Sequence, residues 1–157
     1  MPIIRLETYI EGSIEVVFDL SRSIDLHKYS AQATNEEAIA GVTSGLIGLG
    51  ESVTWRAKHF GIYQRLTSKI TAFQRPDYFV DEMEKGVFKS FKHEHIFEEQ
   101  EGQTLMIDVF HYISPLGFLG RMADKLFLEN YMKAFLEKRN EVIKEVAETD
   151  KWKEILL

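Results

Sequence analysis

The chain has 157 residues, 45% of them hydrophobic and 28% charged, a balance that suits one globular domain with a core of its own. Its formal net charge of −6 disfavours a general binder of nucleic-acid backbones, which needs a basic face. It contains no cysteine, which excludes a disulfide framework and thiolate chemistry.

The chain opens MPIIRLETYIEGS, without a basic start followed by an apolar run, so no signal peptide is expected. No apolar run of about 18 residues occurs anywhere, so no membrane span is expected, and a soluble cytoplasmic protein is the default reading. Residues 3–10 alternate as a strand, with Ile4, Leu6, Thr8 and Ile10 on one face. Ser13 stands as a helix N-cap before IEVVFDL, and a second short helix is read over 24–31. Residues 36–42 read as a strand, and 43–50, TSGLIGLG, read as a mobile loop.

Longer strands follow. Residues 51–60 place Val53, Trp55, Ala57 and His59 on one face, and 62–74 place Ile62, Leu66, Ile70 and Ala72 inward. Arg56, Lys58, Arg65 and Lys69 form an outward basic stripe, read as a solvated face. Strands over 78–84, 88–99 and 103–113 are separated by short turns, the pattern of an antiparallel meander. In FKHEHIF (91–97), alternate side chains share a face, so Phe91, His93, His95 and Phe97 point one way.

From Leu116 to about Ala147 the period becomes helical. The apolar stripe centres first on Leu119 and Leu126. It moves about half a turn later, toward Met132, Phe135, Val142 and Val146. That shift fits a bend, a lid-like first half, or a second apolar surface for a partner. Lys133–Asn140 is mixed in charge and reads as exposed helix. The tail, 150–157, ends apolar, and either packs back or mediates association, such as a homodimer.

EGSIEVVFDL (11–20), GESVTW (50–55), RPDYF (75–79), GVFKSFKH (86–93) and YISPLGFLG (112–120) carry a likeness. Together with the element order they resemble the helix-grip fold of the START-like (SRPBCC) superfamily, over essentially the whole chain. The last motif is similar to a bacterial cyclase/dehydrase-like subgroup. The resemblance implies an α+β fold in a single domain, 1–157. A curved antiparallel sheet of about seven strands would wrap around a long C-terminal helix, with two short helices after the first strand. It also implies a deep cavity between the concave sheet face and the helix. Polyketide cyclases, pollen-allergen-type lipid binders and lipid-transfer domains share this fold, so function must come from the site.

In that fold the last two strands pair. The Glu101-Gly102 turn then sets His95 opposite Asp108, His93 opposite Phe110 and Phe97 opposite Met106. A turn centred on Gly86 sets His93 opposite Phe79 and Phe91 opposite Asp81. The expected lining is therefore Phe79, Asp81, Phe91, His93, His95, Phe97, Met106, Asp108, Phe110 and Tyr112, with Trp55 from the third strand and Leu119 and Ala123 from the helix.

Three readings of the histidines stay open beside a purely structural one. His93, His95 and Asp108, with Asp81 joining, could hold a metal, but no further ligand motif reinforces them and none is expected. His95 and Asp108, with His93, could act as an acid–base pair in a cyclase or dehydratase. The favoured reading is a cavity for a small hydrophobic molecule, such as a lipid or polyketide-like compound, with a few polar anchors and no cofactor.

Overall fold

Alternation of period two becomes seven strands, and the helical period becomes one long helix, in the computed structural model, which describes residues 2–157. The elements are β1 (Ile3–Ile10), α1 (Ile14–Ser21), α2 (Ile24–Ser30), β2 (Glu37–Gly41), β3 (Ser52–His59), β4 (Ile62–Gln74), β5 (Tyr78–Lys85), β6 (Ser90–Gln100) and β7 (Gln103–Ile113). Then come α3 (Phe118–Ala123), a π-helical segment (Asp124–Leu128), α4 (Glu129–Ala147) and α5 (Lys151–Leu156). Ser13 and Ser23 cap the two short helices, their hydroxyls accepting from the Val16 and Leu26 backbone N–H groups.

The strands form one antiparallel sheet in the order β1-β7-β6-β5-β4-β3-β2, curved in the manner of the helix-grip fold. Glu101 and Gly102 take positive φ angles of 51° and 82°, which suit the twist of a two-residue hairpin. They pair Gln100 with Gln103 and so set His95 opposite Asp108, as the turn predicts. The neighbouring register differs from expectation. The β5–β6 connection is centred on Val87 instead of Gly86, the ladder ending at the Glu82–Lys92 pair. Asp81 therefore faces His93, and Phe79 faces His95.

Two further expectations change. A bulge between Ile70 and Ala72 reverses the phase of β4, so Phe73, not Ala72, packs on the core, while Ile62 at the hairpin end is exposed. The 43–50 segment is anchored, not a free loop. Ile24 N–H donates to Gly45 O at 2.9 Å, Ile47 N–H donates to Arg22 O at 3.2 Å, and the Ile47 side chain is buried.

α3, the π segment and α4 run as one continuous helical stretch. A π turn holds one extra residue, which rotates all later side chains by roughly 100° about the axis. The π segment falls where the apolar stripe shifts in the sequence. Beyond the π segment, Leu136, Val142, Ile143 and Val146 are buried, and before it only Gly120 is. α5 packs back, with Trp152, Ile155 and Leu156 against the main core.

That core centres on Phe18, which meets Phe73, Phe79 and Phe97 edge-on at 5.2–5.4 Å between ring centroids. A second apolar cluster holds Ile4, Phe91, Phe110, Tyr112 and Leu136. Gly120 seats the start of the long helix on the end of β7. A Cβ there would lie 2.0 Å from Pro115 O. Gly120→Ala should thus cost about 1–3 kcal/mol through overpacking, read as a lower urea midpoint. Unchanged stability would mean that this close seat is not formed.

Candidate functional site

The site lies where the inward faces of β6 and β7 change character. Along β6 the inward residues run Phe91, His93, His95, Phe97; along β7 they run Met106, Asp108, Phe110, Tyr112. Each strand thus places polar residues between apolar ones, and the two polar stretches are in register. α4 adds Arg139 and Asn140 at the same level, both buried.

Asp108 has no exposure at all. A carboxylate in that position needs its oxygens satisfied. His93 Nε2–H donates to Oδ1 at 2.8 Å, and Asn140 donates to Oδ2 at 2.7 Å. Arg139 Nη1 adds a charge at 3.3 Å. Burial alone would raise this carboxyl's pKa. The His93 hydrogen bond and the Arg139 charge outweigh burial and hold it far below the usual carboxylate range.

His95 Nε2 lies 2.7 Å from Asp81 Oδ2, and its Nδ1 lies 3.4 Å from Arg139 Nη2. A guanidinium only donates, so Nδ1 accepts and Nε2–H donates to Asp81. Burial pushes the His95 imidazole down to about 4, and the neighbouring His93 and Arg139 push the same way against the pull of Asp81. His95 is therefore neutral at pH 7. Burial raises the Asp81 pKa, yet the hydrogen bond from His95 and the adjacent charges leave it lowered. The Phe79 ring stacks on His95 at 4.1 Å and 12°, and His93 lies over His95's other face at 3.8 Å.

Asp81, His93, His95 and Arg139 face a cavity of about 300 Å³ between the sheet and α4. Val53, Trp55, Ile70 and Phe110 from the sheet and Met132 and Phe135 from α4 make its walls largely apolar. A second polar region sits farther along. There His27 bonds Glu36 at 2.8 Å, and His59 bonds the Tyr131 hydroxyl. Burial lowers the His59 pKa.

Of the residues expected from sequence, Trp55, Phe79, Asp81, Phe91, His93, His95 and Phe110 line this cavity. Asp108 stands behind the lining, covered by its partners. Phe97 and Met106 lie in the main core, and Tyr112 lies in the second cluster. Leu119 and Ala123 are not brought to the cavity. They precede the π segment and follow the other stripe, and Leu119 is 65% exposed.

Donor atoms of Asp81, His93 and His95 lie within 4.8 Å of one another, so Asp81 takes the place in this trio that was expected for Asp108. The two imidazoles overlap, tilted by 31°, and do not radiate from a common point. A cation there would need His95 to release Asp81 and turn a protonated Nδ1 toward Arg139.

Arg139 and Asn140, buried and bonded to Asp108, are the polar residues of this site that sequence reading missed, taking them as exposed. Their signal was spacing. They fall three and four residues after Leu136 and before Ile143, inside the apolar stripe. Charge at a stripe position marks a buried partner.

No protein-family model matches the chain. No curated protein matches it either. Solved structures do. A protein from Thermus thermophilus aligns with a TM-score of 0.74 at 18% identity, over 92% of this chain and 95% of that one. Major latex-like protein 151 from Panax ginseng gives 0.69 at 16%, over 93% and 97%. A protein from Chromobacterium violaceum gives 0.71 at 11%, over 94% and 98%. At these identities the likeness shows the fold, which is the START-like helix grip that the sequence motifs resemble. No helix among the described residues is long and apolar enough to cross a membrane.

The neutral His95 makes stability depend on pH. Its folded pKa lies below its unfolded value of 6.5, so the unfolded chain takes up a proton that the folded chain refuses. Stability is therefore full above pH 6.5 and should fall by roughly 1–3 kcal/mol as pH drops toward 4. Asp81 and Asp108, with lowered pKa values, add further loss below about pH 4. Urea midpoints for His95→Gln should be flatter in the upper window, with the Asp108 part of the acid limb kept and the Asp81 part reduced.

Proposed function

We propose that this chain binds a small hydrophobic molecule carrying one polar group, held in the cavity between sheet and helix. The observation that carries this reading is the cavity's polarity. Its walls are largely apolar, and bonded polar side chains are confined to two places, the buried set of Asp81, His93, His95 and Arg139 and the His27–Glu36 and His59–Tyr131 pairs farther along. Ligand pockets of this kind use apolar area for affinity and a few fixed polar groups for orientation. A volume of about 300 Å³ sits at the small end of the usual range, which favours a compact polyketide-like aromatic or a single short chain over a diacyl lipid.

A second reading, a cyclase or dehydratase, draws on the His95–Asp81 and His93–Asp108 pairs. Against it stands the basicity of His95. A general base works best with a pKa near the operating pH, and this imidazole is held at about 4. With Nδ1 turned to Arg139 and Nε2–H given to Asp81, His95 is built to stay in place. Binding ranks first for that reason.

Fluorescence titration with an apolar aromatic dye, read through the dye and through Trp55, tests this. One dye per chain should bind, and Phe110→Glu, which sets a charge into the wall, should weaken binding at least tenfold. His95→Gln should leave binding of a purely apolar dye within a few-fold, while weakening a ligand that carries a hydroxyl or carbonyl. A protein that takes up no dye and co-purifies with no apolar molecule would sink the binding reading.

A further inference from the structure

The first half of the long helix and the turn before it expose Leu116, Phe118, Leu119, Met122, Leu126 and Phe127, with Leu116 at 78% and Leu126 at 71%. Across from them the β3–β4 hairpin exposes Phe60, Ile62 and Tyr63. The Phe60 ring lies 5.6 Å from Phe127 and 4.5 Å from Tyr131, so the two sets meet as one surface. Single exposed apolar residues are ordinary; a contiguous group of this size marks an interaction face. It also surrounds the cavity opening, since exposed Phe60, Val87 and Pro115 belong to the cavity lining.

Charge selects the partner. Residues 56–65 and 116–128 carry five basic side chains, Arg56, Lys58, Arg65, Arg121 and Lys125. Of the acidic residues in or beside these segments, Asp124 is buried and bonded to Ser114, Glu37 lies 3.9 Å from Arg56, and Glu129 is exposed just beyond Leu128, which leaves the cations in excess. The whole chain has the opposite balance, 19 basic against 25 acidic residues. An apolar face with a basic rim matches the layering of an anionic lipid surface, acyl chains below and negative headgroups around them.

We propose that this face docks on an anionic bilayer. Leu119, Leu126, Phe127 and the hairpin tip dip into the boundary of the acyl region, and Lys58, Arg65, Arg121 and Lys125 meet the headgroups. The cavity then opens toward the lipid, and an apolar ligand passes between bilayer and cavity without crossing water. Docking stands on the surface alone, while this passage rests on the binding reading above.

Co-sedimentation with vesicles of phosphatidylcholine, with and without phosphatidylglycerol, tests the docking. The protein should sediment with the anionic vesicles and be released at high salt. Arg121→Glu with Lys125→Glu should weaken this by at least about tenfold. Leu119→Asp with Leu126→Asp should abolish it, and both pairs change exposed side chains, so melting by circular dichroism should be unaltered. Dye uptake without vesicles, on the same variants, reads the cavity separately. Docking is overturned by a protein that ignores anionic vesicles or sediments equally after both pairs of changes. It is also overturned if light scattering finds a dimer that Leu119→Asp dissolves, which would make the face a contact between copies.

Discussion

The fold is organised around one carboxylate with nowhere to go. Asp108 sits in the middle of β7 with no exposure, and leaving such a charge unpaired would cost several kcal/mol. Its partners come from separate elements: His93 from β6, and Arg139 and Asn140 from α4. Arg139 also donates to the Ser21 carbonyl at the end of α1. One buried charge thereby fixes the height and rotation of the long helix against the sheet and ties the first helix to both. Apolar packing alone is non-directional and would tolerate sliding along the helix axis. A hydrogen-bonded layer is not tolerant in that way.

The same layer divides the interior. Main-core residues such as Phe97 and Met106 lie on one side, and Phe91, Phe110 and Leu136 lie on the other. The cavity spans this boundary, which is why a largely apolar space carries a buried polar patch there. Because Asp81, His93, His95 and Asp108 already bond one another, that patch exists without a ligand. Such preorganisation lowers the ordering cost of binding. Burial of the layer also accounts for a histidine that is neutral despite its carboxylate partner, since desolvation outweighs the attraction of Asp81.

Much of this was legible in the residues. Period-two alternation placed the strands, the Glu101-Gly102 pair set the β6–β7 register to the residue, and Ser13 announced its cap. What failed did so for local reasons. A connection centred on Val87 instead of Gly86 moved the β5–β6 register by two places, and that step brought Asp81 to His93 and Phe79 to His95. Turn length in a stretch with a single glycine is weakly encoded. The β4 bulge inverted Phe73 and Ala72 because a bulge leaves no pattern of its own. Arg139 was misread because its neighbours Glu137 and Lys138 are exposed, although its spacing from Leu136 and Ile143 placed it on the buried stripe.

The long helix carries two apolar stripes, of which the fold buries one. The apolar stripe moves about half a turn along the sequence from Phe118 to Ala147, so a regular helix could not turn it inward over the whole length. The π segment lies between the exposed and the buried stretch. Its first residue, Asp124, is buried against Ser114, and Gly120 is pressed on Pro115, so the rotated half is held firmly in its outward pose. Six large apolar side chains facing water are a standing unfavourable term that repacking could relieve, were the helix start free. The anchoring by Ser114, Pro115, Gly120 and Asp124 is what maintains the exposure. An apolar surface held open by specific contacts, beside the mouth of the cavity, is the surface that the proposed docking would cover.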